Sequence, residues 1–212
     1  MKWEVPPIWM GSTVFVIGGG PSVIGADLCL TWEQRERLFS SHVIGVNNAG
    51  FLDDRIDVLF FGDAKWFNWN EERLNNHNSI IVTNNPRYEE HRRIKYLVRR
   101  NGIDARFKHA DVLPWAGSSG GSAILLAILF GAKRIVLVGY DMRRVNDQKN
   151  FHREHQEGNP SHDPYRRFIS RLNGIKRTAQ RYDIIIVNAT PNSALPYFDI
   201  VNLTDEIKRL EP

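Results

Sequence analysis

The sequence predicts an α/β domain built around a parallel sheet, and three observations carry that prediction. Short apolar runs recur along the chain. Segments of helical pattern alternate with them. Glycine, asparagine, serine or aspartate follows the runs, where a strand would end and a turn begin. The chain has 212 residues, which predicts one domain over residues 1–212 that buries about 70% of its unfolded surface.

Four runs read as buried strands: residues 13–17, 42–46, 57–61 and 134–139. Two more, 79–83 and 183–187, complete the sheet. Helices are predicted over 31–40, 87–101, 121–131 and 164–181. Thr31 stands three residues before Gln34, the spacing of a capping box. Gly131 falls where a glycine ends a helix. Residues 143–163 are polar, hold three histidines and show no hydrophobic period. They read as a lid loop over a site.

A hydrophobic fraction of 42% and a charged fraction of 25% are those of a folded globular chain rather than a disordered or fibrous one. No apolar run approaches the roughly 18 residues of a membrane span. Glu4 and two early prolines predict no signal peptide. The single cysteine, Cys29, rules out an internal disulfide and a cysteine metal cluster, so a reducing, cytoplasmic setting is expected. The net charge of +4 suits an anionic ligand but does not by itself imply nucleic acid.

The strand ends carry the candidate chemistry. The first run closes on Gly18-Gly19-Gly20-Pro21-Ser22, a loop whose backbone can approach phosphate closely. Its spacing is not the dinucleotide fingerprint, and it lacks the lysine of a P-loop. The second run ends at Asn47-Asn48, uncharged donors and acceptors for a base edge or a sugar hydroxyl, or a plain turn. Asp63 follows the third run, where it lines a site or caps the next helix. Trp66, Phe67 and Trp69 read as packing. Ser118-Ser119-Gly120-Gly121 opens an apolar helix and exposes amides to an anion. Tyr140 and Asp141 end the strand over 134–139.

His152, His155 and His162 allow a metal reading, but no cysteine or carboxylate spacing makes it specific. One histidine as general base fits better, and His162 stands just before the helix over 164–181. Basic residues gather at 87–100 and again at 166–181. They read as solvated helix faces, with phosphate of a polyanionic acceptor as the second reading.

The order of these motifs resembles the bacterial lipooligosaccharide-type sialyltransferases and two groups of relatives. These are the motility-associated flagellin glycosyltransferases and the 6-hydroxymethylpterin pyrophosphokinase-like proteins. The matching pieces are Val16 to Ser22, Val46-Asn47-Asn48, Ser118-Ser119-Gly120 with its apolar helix, Gly131 to Met142, and Pro191-Asn192-Ser193. Together they span residues 13 to 193. The resemblance implies a Rossmann-like three-layer domain with a mostly parallel sheet and a polar lid. It also implies a nucleotide-activated sugar donor, CMP-linked in the sialyltransferases, transferred directly to an acceptor hydroxyl with inversion. A histidine is the base, His162 by position, and no metal is required. By that resemblance Gly19, Gly20, Pro21, Ser22, Asn47, Asn48, Ser118, Ser119 and Gly120 would contact the donor, and Asn192 and Ser193 would lie beside the nucleotide. The position of the strand ends adds Gly18, Asp63, Gly121, Tyr140 and Asp141 to the expected donor site.

The family's lid carries a tyrosine pair that stabilises the leaving phosphate. Residues 143–163 hold no tyrosine, so Arg143, Arg144, Lys149 and Arg153 are the expected substitutes. Three rival readings share the fold. One is a pyrophosphokinase of a pterin-like substrate, with ATP and Mg²⁺ held by Asp63 and Asp141. Another transfers a sugar to DNA. The third binds a nucleotide without turnover. A compact, basic chain with no membrane span suits a glycan, another hydroxyl acceptor or a nucleic acid. It also suits a phage or mobile-element origin. Association with a second copy stays open.

Overall fold

The computed structural model describes residues 3–23, 28–101, 109–152 and 163–210. Eight strands form one sheet: β1 (Thr13–Ile17), β2 (His42–Val46), β3 (Val58–Phe61), β4 (Ile80–Thr83), β5 (Ile94–Tyr96), β8 (Arg134–Val138), β9 (Ile185–Asn188) and β10 (Asp199–Ile200). Their order is β10-β9-β8-β1-β2-β3-β4-β5, and every neighbouring pair is parallel. A second parallel pair joins β6 (Val98–Asn101) to β7 (Val112–Trp115). The helices are α1 (Trp32–Phe39), α2 (Ala64–Asn75), α3 (Ser119–Leu129), α4 (Tyr165–Arg181) and α5 (Leu203–Lys208).

The strands are apolar on both faces because both faces are covered. Val14 and Val16 of β1 join Ile44, Val58 and Val82 in a core shared with α3 and α4. Phe15 and Ile17 point the other way, toward Leu38 and Phe39 of α1 and Ile207 of α5. Leu59 and Phe61 continue that second face toward Trp66, Phe67 and Leu74 of α2. The result is the three-layer α/β architecture that the sequence predicts. α3 is apolar all round because it lies between the sheet and α4, with every residue from Gly121 to Ile128 buried.

Local signals hold where side chains enforce them. Thr31 Oγ1 accepts from Gln34 N, and Gln34 Oε1 accepts from Thr31 N, closing the capping box of α1. Gly131 follows α3 at φ +98°, the left-handed position of a helix end.

The helix expected over 87–101 is not formed. Asn85 and Pro86 open a short 3₁₀ turn over Pro86–Tyr88. The chain then becomes β5, pairing Ile94, Lys95 and Tyr96 with Ile81, Val82 and Thr83. It leaves the sheet through Leu97 and continues as β6. The reason is tertiary. β4 offers an unpaired edge, and only Tyr88, Ile94 and Leu97 of this segment are buried. The helix that Asp63 caps, in one of its two readings, is α2. The pair β6–β7 and the C-terminal β10 and α5 were not expected. No helix among the described residues is long and apolar enough to cross a membrane.

Candidate functional site

Strand order reverses at β1, which pairs with β8 on one side and β2 on the other. In open α/β sheets ligands bind beyond the carboxyl ends of strands at such a point. A cavity of about 350 Å³ opens there. Of the predicted residues, Gly18, Gly19, Gly20, Pro21, Asn47, Asp63, Ser118, Ser119, Gly120, Tyr140, Asp141, Arg143 and Lys149 line it.

The glycine loop is held more tightly than a free phosphate cradle. Gly18 N donates to Val138 O at 2.7 Å and Gly20 N to Gly139 O at 2.9 Å, extending the pairing of β1 with β8. Ser22 N and Oγ donate to the Asp141 carboxylate, Oγ at 2.8 Å. Asp141 is 2% exposed. Burial pushes its pKa above the usual carboxylate value, and the Ser22 hydrogen bonds partly offset that. Its first task is therefore to clamp the loop, and Ser22 faces Asp141 rather than the cavity.

Open donors come instead from the start of α3. Ser118 caps the helix, accepting from Gly121 N at 3.1 Å. The first amides of a helix have no partner within it, and Ser119 and Gly120 line the cavity, so α3 offers it donors for an anion. Gly121 packs inward against Ala116. Tyr140 donates its hydroxyl to Gly120 O at 3.0 Å, fixing β8 against α3.

Asn47 and Asn48 part company. Asn48 is buried, and its Oδ1 accepts from Trp66 Nε1 at 2.6 Å, tying the end of β2 to α2. Asn47 takes φ +53° and lines the cavity. Its buried Oδ1 has no partner among the described residues, an acceptor that a ligand N–H or O–H can satisfy. Asp63 both lines the cavity and caps α2 through Lys65 N at 2.8 Å. Trp66 and Phe67 are core, as expected, and Trp69 is partly exposed beneath the Lys65 ammonium.

Asn192 and Ser193 support the site from behind. Asn192 O accepts from Arg143 Nε at 2.8 Å, and Ser193 Oγ donates to Tyr140 O at 2.5 Å. Arg144 donates to Asp147 O within the polar segment after β8 and does not line the cavity. Residues 143–152, the described part of the polar segment after β8, reach the glycine loop, with Phe151 N donating to Gly19 O at 3.1 Å. Arg153, His155 and His162 lie outside the described residues. Among those described, no three metal-ligating side chains gather.

Several lining residues escaped the sequence reading. Trp115 forms a wall, and the Arg99 guanidinium stacks on it at 4.4 Å while donating to Asn84 O and Gly62 O. Arg99 therefore does not belong to a solvated helix face. Tyr165 opens α4 at the cavity, with its hydroxyl 3.4 Å from Lys149 O. Burial raises its pKa, so at neutral pH it is a phenol able to donate. Arg167 and Phe168 complete that side. Tyr165 was visible as the first residue after the expected lid and its adjoining proline, but only the fold turns it inward.

No family model matches the chain, and no curated protein matches it. Solved structures do match in fold. The sialyltransferase CstII from Campylobacter jejuni, in complex with the substrate analogue cytidine-5'-monophosphate, superposes with a TM-score of 0.57 at 17% identity. That match covers 96% of this chain and 87% of the other. CstII with CMP-3FNeuAc gives 0.54 at 17% identity, covering 91% and 87%. An asparagine-to-alanine variant of CST-II with CMP gives 0.51 at 17% identity, covering 91% and 88%. The fold implied by the sequence resemblance is thus the fold that the comparison finds.

Proposed function

We propose that this chain is a glycosyltransferase that moves a sugar from a CMP-linked donor to an acceptor hydroxyl. The observation that carries the reading is a convergence. The α3 amides, the clamped glycine loop, Asn47 and the cations Arg143, Lys149 and Arg167 meet in one cavity. Its size suits a nucleotide, and its position is the switch point of the sheet. The fold likeness to structures described with CMP and CMP-3FNeuAc supports the donor class.

In this reaction the acceptor oxygen bonds to the donor's anomeric carbon as the bond from that carbon to the phosphate oxygen breaks. CMP leaves with the bonding pair. The acceptor's proton passes to His162, the base that the family resemblance assigns. Charge grows on the leaving phosphate, and we assign its stabilisation to Arg143, Lys149 and the Tyr165 phenol, which line the cavity. No metal is assigned to this step. Asp63 and Asp141, the ligands a pyrophosphokinase would need, already accept from Lys65 N and Ser22.

The test is a thermal-shift series with CMP, CDP, UDP, GDP, ADP, ATP and CMP-sialic acid, with and without Mg²⁺. A ligand at a hundred times its Kd stabilises by about 2.7 kcal/mol. A metal-independent shift specific to cytidine nucleotides is expected. A shift only with ATP and Mg²⁺ would overturn the reading in favour of a pyrophosphokinase. His162→Ala is expected to keep the CMP shift and lose transfer. Unchanged transfer would remove His162 from the mechanism.

A further inference from the structure

Helix α4 has an unusual charge pattern. Its 17 residues include Arg166, Arg167, Arg171, Lys176, Arg177 and Arg181 and no acid at all. At roughly 100° per residue, the five arginines fall within an arc of about 140°. All five are exposed, and none makes an ion pair among the described residues. Arg167 and Arg171 repel as an i,i+4 pair, and so do Arg177 and Arg181. A helix face selected only for solubility has no need of this arrangement, because acids placed four residues away would relieve it.

The stripe is continuous with the cavity. Arg167 and Phe168 line the cavity, and the Arg171 side chain lies over Gly117 in its wall. From Arg167 to Arg181 the axis runs about 21 Å, room for several successive phosphates of a strand. At the cavity end the aromatic side chains Tyr165 and Phe168 line the wall, beside Trp115, on which Arg99 already stacks. A cationic track that ends in aromatic side chains is the pattern of single-strand recognition, in which phosphates follow the charge and an unpaired base stacks. A bilayer surface fits less well. Ile169, Leu172 and Ile175 of α4 pack into the core, Phe168 lines the cavity, and no large apolar side chain between Tyr165 and Arg181 is fully exposed for insertion.

We propose that the arginine face of α4 is a docking track for single-stranded nucleic acid, leading an acceptor hydroxyl of the strand to the cavity. The acceptor role rests on the transfer reaction proposed above. The binding itself does not.

Fluorescence anisotropy with a labelled twenty-nucleotide single strand, from 50 to 200 mM salt, tests the track. A duplex, heparin and vesicles of anionic phospholipid serve as competitors. With five phosphate contacts, log K against log salt should slope at about −3.5, roughly a hundredfold loss across that range. The double variant Arg177→Gln/Arg181→Gln should make the slope shallower by about 1.4 units. It should leave the CMP thermal shift unchanged. Lys208→Gln, on α5, should leave the slope as it is. Binding that the double variant does not weaken, or tighter binding of duplex, heparin or vesicles, would overturn the proposal. Strand binding without any CMP shift would uphold the track and count against the sugar-transfer reading. A CMP shift without strand binding would do the reverse.

Discussion

Gly20 has no room for a side chain. A Cβ there would stand 2.0 Å from Asp141 Oδ2 and 2.4 Å from Gly139 O. Gly20→Ala must therefore push the loop away from the clamp that Asp141 places on Ser22. We expect a loss of about 1–3 kcal/mol, seen as a lowered denaturation midpoint, together with loss of the CMP shift. Normal stability with normal nucleotide binding would show that the clamp is dispensable. The glycines were legible in the sequence because nothing else meets that steric demand at a strand end. The job of Asp141 was not legible. A carboxylate at a strand end reads the same whether it holds a ligand, a metal or its own loop. Asn47 and Asn48 pose the same problem, since adjacent identical residues separate only when the backbone sends one outward and the other toward Trp66.

At the scale of elements, patterning succeeded where burial is lopsided or complete. β1, β2, β3 and β8 are continuous apolar runs. α1 carries its cap in the sequence, and α3 is apolar from Ala123 to its end. Patterning failed over 87–101, where scattered apolar residues among arginines mimic a helical face. An available sheet edge drew Ile94 to Tyr96 into pairing instead. α5 was missed because six residues are too few to show a period. It is fastened by a contact far away in the sequence. Arg134 Nε and Nη2 donate to the Glu206 carboxylate at 2.7 and 2.9 Å, and Glu206 is 2% exposed. Arg134→Met should cost about 2–3 kcal/mol in urea denaturation. The cost stays below that of a fully stranded carboxylate because Arg209 Nε remains 3.4 Å from Glu206. A cost below about 0.5 kcal/mol would mean that α5 is held by its apolar contacts alone.

At the scale of the whole molecule, the joint that follows α2 couples stability to pH. His77 lies at the end of α2, its ring edge-on to Phe51, its Nδ1 accepting from Ser79 N and its carbonyl accepting from Arg93. Burial holds its pKa below the ordinary imidazole value, with Arg73 and Arg93 lowering it further and Asp54 opposing them. The unfolded chain therefore takes up a proton first as pH falls through about 6.5. Stability should decline from there until the folded-state value is reached, then level off. Urea midpoints between pH 7.5 and 5.5 should fall less steeply for His77→Gln than for the parent chain. Parallel profiles would clear His77 of this role.

The sequence by itself determined the layered α/β class, the central strands, the caps of α1 and α3 and the glycine loop. Each follows from local sterics or from a burial pattern written in consecutive residues. Only the tertiary structure decided which strand ends converge, that Trp115, Tyr165, Arg167 and Phe168 share a cavity with them, and that 87–101 closes the sheet as an edge. Those outcomes depend on crossover connections and on the availability of an unpaired edge. They are energies of contact between segments distant in the chain, and no window of sequence contains them.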